Sequence, residues 1–202
     1  MSDTPTPLPP AAAMISHPVA DFASWKAGFD AHEDDRRAAG ILGHHVNRGE
    51  EDPNLVAVYM AIGDIDRARA FAESEELKAK MAEVGVSGPP EISWMTPVRE
   101  EIVWDRELPA FALTHSVADF DRWLDGYDAA DDLRRRNGIV GQAANRSLDD
   151  PSIAVVYHQA ESFEALRSFL GNAELQTLME EAGVTSAPDV SFYTGGWAKQ
   201  YG

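Results

Sequence analysis

The hydrophobic positions of the first hundred residues follow two periods. A short apolar stretch over residues 12–17 is typical of a strand. After it, Phe22, Trp25 and Phe29 recur at helical spacing and place one aromatic stripe on one side of a helix. Gly40 supplies the residue type that ends helices in a left-handed conformation. The pattern therefore predicts a strand followed by an amphipathic helix.

The next segments predict a hairpin, a second helical region and a last strand. Residues 41–48 and 54–62 are rich in strand-forming residues, and the polar turn between them ends in Asp52-Pro53. A helical region then starts at an N-cap residue type and restarts at another, Ser74. A final strand follows Pro90. The order of elements is β-α-β-β-α-β.

The chain contains this pattern twice. Residues 15–98 align without a gap with residues 113–196, at an offset of 98, with 32 identities in 84 positions. We interpret this as a tandem duplication, because self-similarity at a fixed period is the signature of repeated units. The predicted organisation is a flexible tail (1–10), repeat 1 (11–98), a linker (99–109) and repeat 2 (110–202).

Each repeat has the order of a ferredoxin-like unit, in which a four-stranded antiparallel sheet carries both helices on one face. The fold class is therefore predicted to be α+β. The other face of the sheet is left bare, and the run Leu55, Val56, Ala57, Val58 and Tyr59 makes it apolar. Such a face needs a cover. We expect the two sheets to pack face to face as an α/β barrel within one chain.

Three groups of residues make the sequence resemble a known superfamily. They are the pattern H-x-V-A-D-F-x-x-W from His17, the group Asp34, Arg36 and Arg37 with Asn47-Arg48 after it, and the pattern E-L-x-x-x-M-x-E-x-G-V near the end of each repeat. The chain resembles the dimeric α/β-barrel superfamily and is similar to small proteins grouped with antibiotic-biosynthesis monooxygenases and polyketide cyclases. The resemblance covers both repeats and implies the fold. Superfamily members oxidise, cyclise, degrade haem or only bind.

Composition narrows the choice of partners. Seventeen Lys and Arg against 34 Asp and Glu give a net charge of −17, which disfavours nucleic acid and anionic membrane surfaces as partners. The absence of cysteine excludes disulfides and thiolate metal sites. No apolar run reaches the roughly 18 residues of a membrane span, and we expect no signal peptide. These features favour a cytoplasmic protein that binds a small molecule and is an internal pseudo-dimer, either a monomer or a weak homodimer.

The candidate catalytic residues are two histidines and two asparagines. His17 and His115 end the first strand of each repeat, where an imidazole could act as a general base on an acidic C–H or O–H group. The alternative is a structural histidine that hydrogen-bonds near the following helix. Asn47 and Asn145 precede the hairpin turn and are candidate polar partners in the pocket.

Aromatic residues provide candidate walls for a flat ligand, although aromatic residues at these spacings also form ordinary cores. Arginines at the end of the first helix suit the helix dipole, and one that turned inward could hold a carboxylate or enolate. The candidate binding residues are Trp25, Tyr59, Trp94, Trp123, Tyr157, Phe192, Arg37 and Arg135.

We predict no metal and no cofactor. His44 and His45 are adjacent on a strand and should point to opposite faces, so they cannot share one ion. No glycine-rich phosphate loop, P-loop or G-x-S-x-G motif is present. Haem, which some relatives bind, would need an accessible histidine, which only His17, His115 or His158 could supply.

The sequence predicts an enzyme of small-molecule metabolism. The resemblance implies a cofactor-independent monooxygenase or a cyclase-like protein that acts on an aromatic or polyketide-type substrate. The alternative is a binding protein that uses the same pockets without chemistry. A third possibility is that one repeat is catalytic and the other structural, because the repeats differ at positions such as Met60 and His158.

Overall fold

The computed structural model describes residues 7–201, so residues 1–6 of the predicted tail and Gly202 lie outside the described part. The chain has an α+β fold. The first half contains β1 (Ala11–Pro18), α1 (Phe22–Ala31), α2 (Glu33–Ala38), β2 (Ile41–Arg48), β3 (Leu55–Ile62), α3 (Ile65–Glu73), α4 (Glu75–Glu83) and β4 (Glu91–Glu101). The second half contains β5 (Ala110–Ser116), α5 (Phe120–Ala129), α6 (Asp131–Arg136), β6 (Ile139–Ser147), β7 (Ile153–Ala160), α7 (Phe163–Leu170), α8 (Ala173–Glu181), β8 (Asp189–Tyr193) and β9 (Ala198–Gln200).

Side-chain caps mark the first residues of several helices. The Asp21 carboxylate accepts a hydrogen bond from the Ser24 backbone N–H at 2.8 Å, and Asp119 does the same in the second repeat. Ser74 caps α4 and ends α3. Gly40 has a φ of +79°, the left-handed conformation expected where the helix ends. The single first helix that the pattern predicted is divided at His32 into α1 and α2.

All nine strands described between residues 7 and 201 form one antiparallel sheet, in the order β8-β5-β7-β6-β4-β1-β3-β2-β9. Within it, β4-β1-β3-β2 and β8-β5-β7-β6 each have the strand order of a ferredoxin-like unit. The ferredoxin-like prediction is confirmed. In β1, His17 lies opposite Val56, whereas Asn47 of β2 lies opposite Ala57. Because side chains alternate along a strand, His17 and Asn47 point to opposite faces.

The two halves join edge to edge along β4 and β6. The ladder runs from Met95 opposite Ser147 to Glu101 opposite Gln142. Strand β4 therefore continues three residues past Val98, into the segment that the sequence analysis assigned to the linker.

The opposite ends of the sheet also approach each other. Gly49 forms a bridge with Tyr193, and the Thr194 N–H donates to the Arg48 carbonyl at 2.9 Å. The short strand β9 adds to the edge of β2. The C-terminal segment thus covers an edge that would otherwise expose unpaired backbone groups.

The core is asymmetric. In the second half, one large cluster joins Phe111, Trp123, Leu166 and Phe169 between the sheet and the helices. In the first half, the corresponding apolar side chains fall into separate, smaller clusters. Such a gap between clusters marks incomplete filling of the layer between sheet and helices. No helix within residues 7–201 is long and apolar enough to cross a membrane.

Candidate functional site

The sheet divides the predicted site residues between its two faces. On the helix-covered side of the sheet lie His17 and Trp94 of the first repeat and His115 and Phe192 of the second. Trp25 of α1 and Trp123 of α5 face the same side from the helices. The other face carries Asn47, Tyr59, Asn145 and Tyr157, which line a separate small cavity. Sequence analysis grouped these residues around one ligand in each repeat. The structure does not bring them together, because the alternation of side chains separates the two groups.

The first cavity lies between the sheet and the helices of the first repeat. Its volume is about 120 Å³, and apolar side chains from the sheet and from α1, α3 and α4 form most of its lining. His17 stands at this cavity with its ring centroid 5.8 Å from that of Trp25. Trp94 of β4 contributes another aromatic wall. An engineered apolar cavity of about 150 Å³ holds benzene, so the first cavity suits a single-ring molecule.

His17 is buried without a hydrogen-bond partner. Its side chain is 5% exposed, and neither ring nitrogen meets a donor or acceptor in the part of the chain described. Burial lowers the pKa of His17 to about 4, because a charged imidazolium loses its hydration there. At neutral pH the ring is therefore neutral. The structural alternative, a hydrogen bond near the helix, is not among the contacts of this residue.

His115 repeats the arrangement at a smaller cavity. Its ring centroid lies 5.5 Å from that of Trp123, its nitrogens also have no hydrogen-bond partner within residues 7–201, and burial lowers its pKa to about 4. The second cavity has a volume of only about 60 Å³.

Three substitutions between the repeats explain the difference in volume. In repeat 1 the positions are occupied by alanines that line the first cavity, and in repeat 2 by large side chains packed in the core. The pairs are Ala13 and Phe111, Ala68 and Leu166, and Ala72 and Leu170. Each large side chain fills space that an alanine leaves open. The alignment of the two repeats already shows these differences in side-chain size.

The predicted arginines, Arg37 and Arg135, lie at the surface and not at the cavities. Arg37 is 40% exposed and Arg135 is 59% exposed, and both form ion pairs at the surface. Their neighbours Arg36 and Arg134 are buried at 4% exposure. The sequence analysis named Arg37 and Arg135, although Arg36 follows Phe29 by seven residues, two helical turns.

Arg36 packs on the aromatic stripe and reaches the first cavity. Its guanidinium carbon lies 3.7 Å from the centroid of the Phe29 ring. Its Nε donates to the Tyr201 hydroxyl at 2.7 Å, and Nη1 donates to the Phe29 carbonyl. The Tyr201 hydroxyl also lies 2.7 Å from His44 Nδ1. The C-terminal Tyr201, which the sequence analysis did not single out, thus joins this cluster.

The cavity on the other face of the sheet is small. Its volume is about 30 Å³, and it lies where the two repeats meet. The Tyr157 hydroxyl donates to Asn47 Oδ1 across this space at 3.0 Å. Burial raises the pKa of Glu100, which lines the same cavity. The space accommodates no ring, so the asparagines and tyrosines are remote from any aromatic ligand in the first cavity.

His44 and His45 point to opposite faces, as predicted. His44 packs against Phe29 on the helix-covered face, and His45 against Tyr157 on the other. Among residues 7–201, no group of three or more His, Asp or Glu side chains is arranged to hold a metal ion.

Comparisons with known proteins place the fold. Neither a family model nor a curated protein sequence matches the chain. Solved structures do match, and three of them are similar over more than nine-tenths of this chain. A candidate monooxygenase from Lactobacillus acidophilus NCFM has a TM-score of 0.66 and 11% identity, and the match covers 95% of this chain and 96% of that one. A candidate monooxygenase from Fusobacterium nucleatum has a TM-score of 0.67 and 8% identity, with 98% of this chain and 97% of that one covered. An anthrone oxidase-like protein has a TM-score of 0.67 and 12% identity, with 94% of this chain and 92% of that one covered.

A ferredoxin-fold protein from Listeria monocytogenes related to antibiotic-biosynthesis monooxygenases is also similar, with a TM-score of 0.53 and 8% identity over 92% of this chain and 95% of that one. At these identities the likeness concerns the fold. The ferredoxin-like fold that the sequence resemblance implied is confirmed.

Proposed function

We propose that the protein is a monooxygenase-like enzyme that oxidises an aromatic or polyketide-type small molecule without a cofactor, and that the first cavity is its active site. The observation that supports this most is the buried, neutral His17, whose ring nitrogens lack protein partners beside an apolar cavity of about 120 Å³. A buried polar group without a partner is costly, and functional sites are where such costs persist.

In this proposal the neutral imidazole of His17 accepts a proton from an acidic C–H or O–H group of the substrate. Trp25 and Trp94 hold the ring. The resulting carbanion reduces oxygen directly. For a single-ring phenol, one O₂ supplies the oxygen of the new C=O group para to the hydroxyl and of one water, so that four electrons leave the ring and four enter O₂.

The second repeat takes a structural role. Its cavity is half the size because Phe111, Leu166 and Leu170 fill the space, although His115 is retained. Asn47, Asn145, Tyr59 and Tyr157 take no part in the reaction, because they lie on the other face of the sheet.

The internal pseudo-dimer is part of the proposal. The β4–β6 ladder and the bridge between Gly49 and Tyr193 support closure of the two halves into one barrel within the chain. We accordingly propose the repeat boundaries given above, a protein that is a monomer or weak homodimer, a small molecule as the partner, and a cytoplasmic location.

Oxygen uptake with single-ring phenols and hydroquinones as substrates tests this function. The variant His17→Ala should lower kcat about 100-fold or more, the usual contribution of a general base, with little change in melting temperature. The matched variant His115→Ala should keep most of the activity. Unchanged turnover in His17→Ala would remove the assigned base.

One observation favours the binding-protein alternative. A histidine with a pKa of about 4 is a weak base until a bound substrate changes its surroundings. A protein that only binds would take up one ligand per chain and release it unchanged, and product analysis after prolonged incubation would reveal this.

A further inference from the structure

We propose that the first cavity binds an apolar ring that carries one anionic oxygen, a carboxylate or a phenolate, and that Arg36 binds this oxygen. The inference rests on the proposed location of the site but not on turnover. It names the chemical class of ligand that the cavity selects.

The first argument is the unbalanced charge of Arg36. The guanidinium is 4% exposed and lines the cavity. Within residues 7–201 it forms no ion pair with a carboxylate, and its Nη2 has no hydrogen-bond partner. Its other bonds go to two neutral oxygens, those of Tyr201 and Phe29. A buried cation without a counter-charge is expensive, and an anionic ligand would supply both the charge and the missing acceptor.

The second argument is the contrast with Arg134, its counterpart in the second repeat. Asp131 Oδ1 lies 3.5 Å from Arg134 Nη2 and also accepts a hydrogen bond from Gln142. Arg134 thus has a protein carboxylate nearby. The second repeat satisfies its arginine without a ligand.

In repeat 1 the equivalent carboxylate serves other cations. Glu33 stands at the position of Asp131, but it pairs with Lys199 of β9 and with Arg37. The C-terminal strand therefore draws this carboxylate away from Arg36. The charge of Arg36 is left for the cavity.

The third argument is that two other basic side chains of the cavity already lie beside carboxylates. His32 Nδ1 lies 3.0 Å from Asp35 Oδ2. Lys80 also lines the cavity, but its Nζ lies 2.7 Å from both Asp35 and Glu76. The rest of the lining is mainly apolar, with Ala13, Ala68 and Ala72 providing the space. One ring and one anionic group match this distribution of charge and volume.

Calorimetric titration with benzoate, 4-nitrophenolate and the neutral benzyl alcohol tests the proposal. We expect at least one of the two anions to bind tenfold or more tightly than benzyl alcohol, and their relative affinities distinguish the carboxylate from the phenolate. Arg36→Met should remove this preference, whereas the matched Arg134→Met should keep it. Ala68→Leu, which introduces the residue of repeat 2, should abolish binding of all three.

The proposal would be overturned if benzyl alcohol bound as tightly as both anions. It would also be overturned if Arg36→Met kept the preference for anions over benzyl alcohol, or if Ala68→Leu still bound the probes. If Arg36→Met fails to fold, a crystal structure of the wild type with benzoate decides instead, because the proposal requires a carboxylate oxygen within hydrogen-bonding distance of Arg36 Nη2 and a carboxylate elsewhere would overturn it. His17→Ala should retain the preference for the anion. A protein that binds anions in this way but turns over no substrate would overturn the proposed function alone.

Discussion

Buried histidines make the folding stability of this protein depend on pH. Burial lowers the pKa of His17 and His115 to about 4, and burial together with the Arg134 cation lowers that of His158 to about 3. The unfolded chain keeps the ordinary value of about 6.5. Unfolding therefore takes up protons below pH 6.5, and stability is lost as the pH falls from 6.5 towards 4 and below.

His158→Met isolates this effect, because Met60 is the natural residue at the same position of repeat 1. The variant loses the 3.1 Å contact of His158 Nε2 with the Tyr127 hydroxyl at every pH. The substitution also removes an imidazole whose pKa is lower in the folded protein than in the unfolded chain. Between pH 8 and pH 5 we expect the free energy of unfolding of the variant to gain about 2 kcal/mol relative to wild type. Urea unfolding at both pH values measures this, and an identical difference at the two would contradict the pKa assigned.

The sequence did not predict which arginine of the pair Arg36-Arg37 is buried. The pair Arg36-Arg37 occurs in a motif common to both repeats, and spacing alone left open which arginine turns inward. The outcome depends on the packing of Arg36 against Phe29 and on a bond to Tyr201, 165 residues away in the chain. The latter contact has no local signal. The size of the cavity, by contrast, could be read from Ala13, Ala68 and Ala72 beside their larger counterparts.

At the scale of elements, local signals predicted most of the strands and helices, but not the break of the first helix at His32. Caps and left-handed glycines fix the helix ends, and the alternation of side chains fixes the faces of the strands. The same alternation shows why His17 and Asn47 could not share a cavity, since their partners Val56 and Ala57 are neighbours on β3. This information was present in the sequence once the register of the strands was considered.

Cap strength provides a prediction for one element. Replacing Asp119, whose side chain accepts from the Arg122 N–H at 2.8 Å, with alanine should lower the free energy of unfolding by about 1 kcal/mol. The matched variant Asp121→Ala, in the first turn and 91% exposed, should cost less than about 0.5 kcal/mol. Chemical denaturation of both variants measures the difference. Equal effects would mean that the cap does not anchor α5.

At the scale of the whole molecule, the duplication predicted two ferredoxin-like units, and the structure contains them. It did not predict that they would join through β4 and β6 or that β9 would cover β2. Pairing between strands that are distant in the chain depends on which edge strands remain unpaired after each unit forms. The periodicity of the sequence does not predict this pairing. The same joining has a functional consequence, because β9 brings Lys199 to Glu33 and Tyr201 to Arg36.

The duplication also explains how one repeat can diverge. With the second repeat filled by Phe111, Leu166 and Leu170, the molecule retains one well-packed half beside a half with a cavity. A cavity costs stability, and the second cavity, in the same layer of the well-packed half, has only half the volume. We therefore propose that repeat 1 binds the ligand and that repeat 2 provides much of the structural support.

A crystal structure of the protein with benzoate tests this central claim most directly. We expect the ring in the first cavity, between Trp25, Trp94 and Ala68, with a carboxylate oxygen within hydrogen-bonding distance of Arg36 Nη2. The second cavity and the small cavity between the repeats should contain no benzoate. A ring bound beside His115 or Tyr157, or a carboxylate turned away from Arg36, would contradict the account.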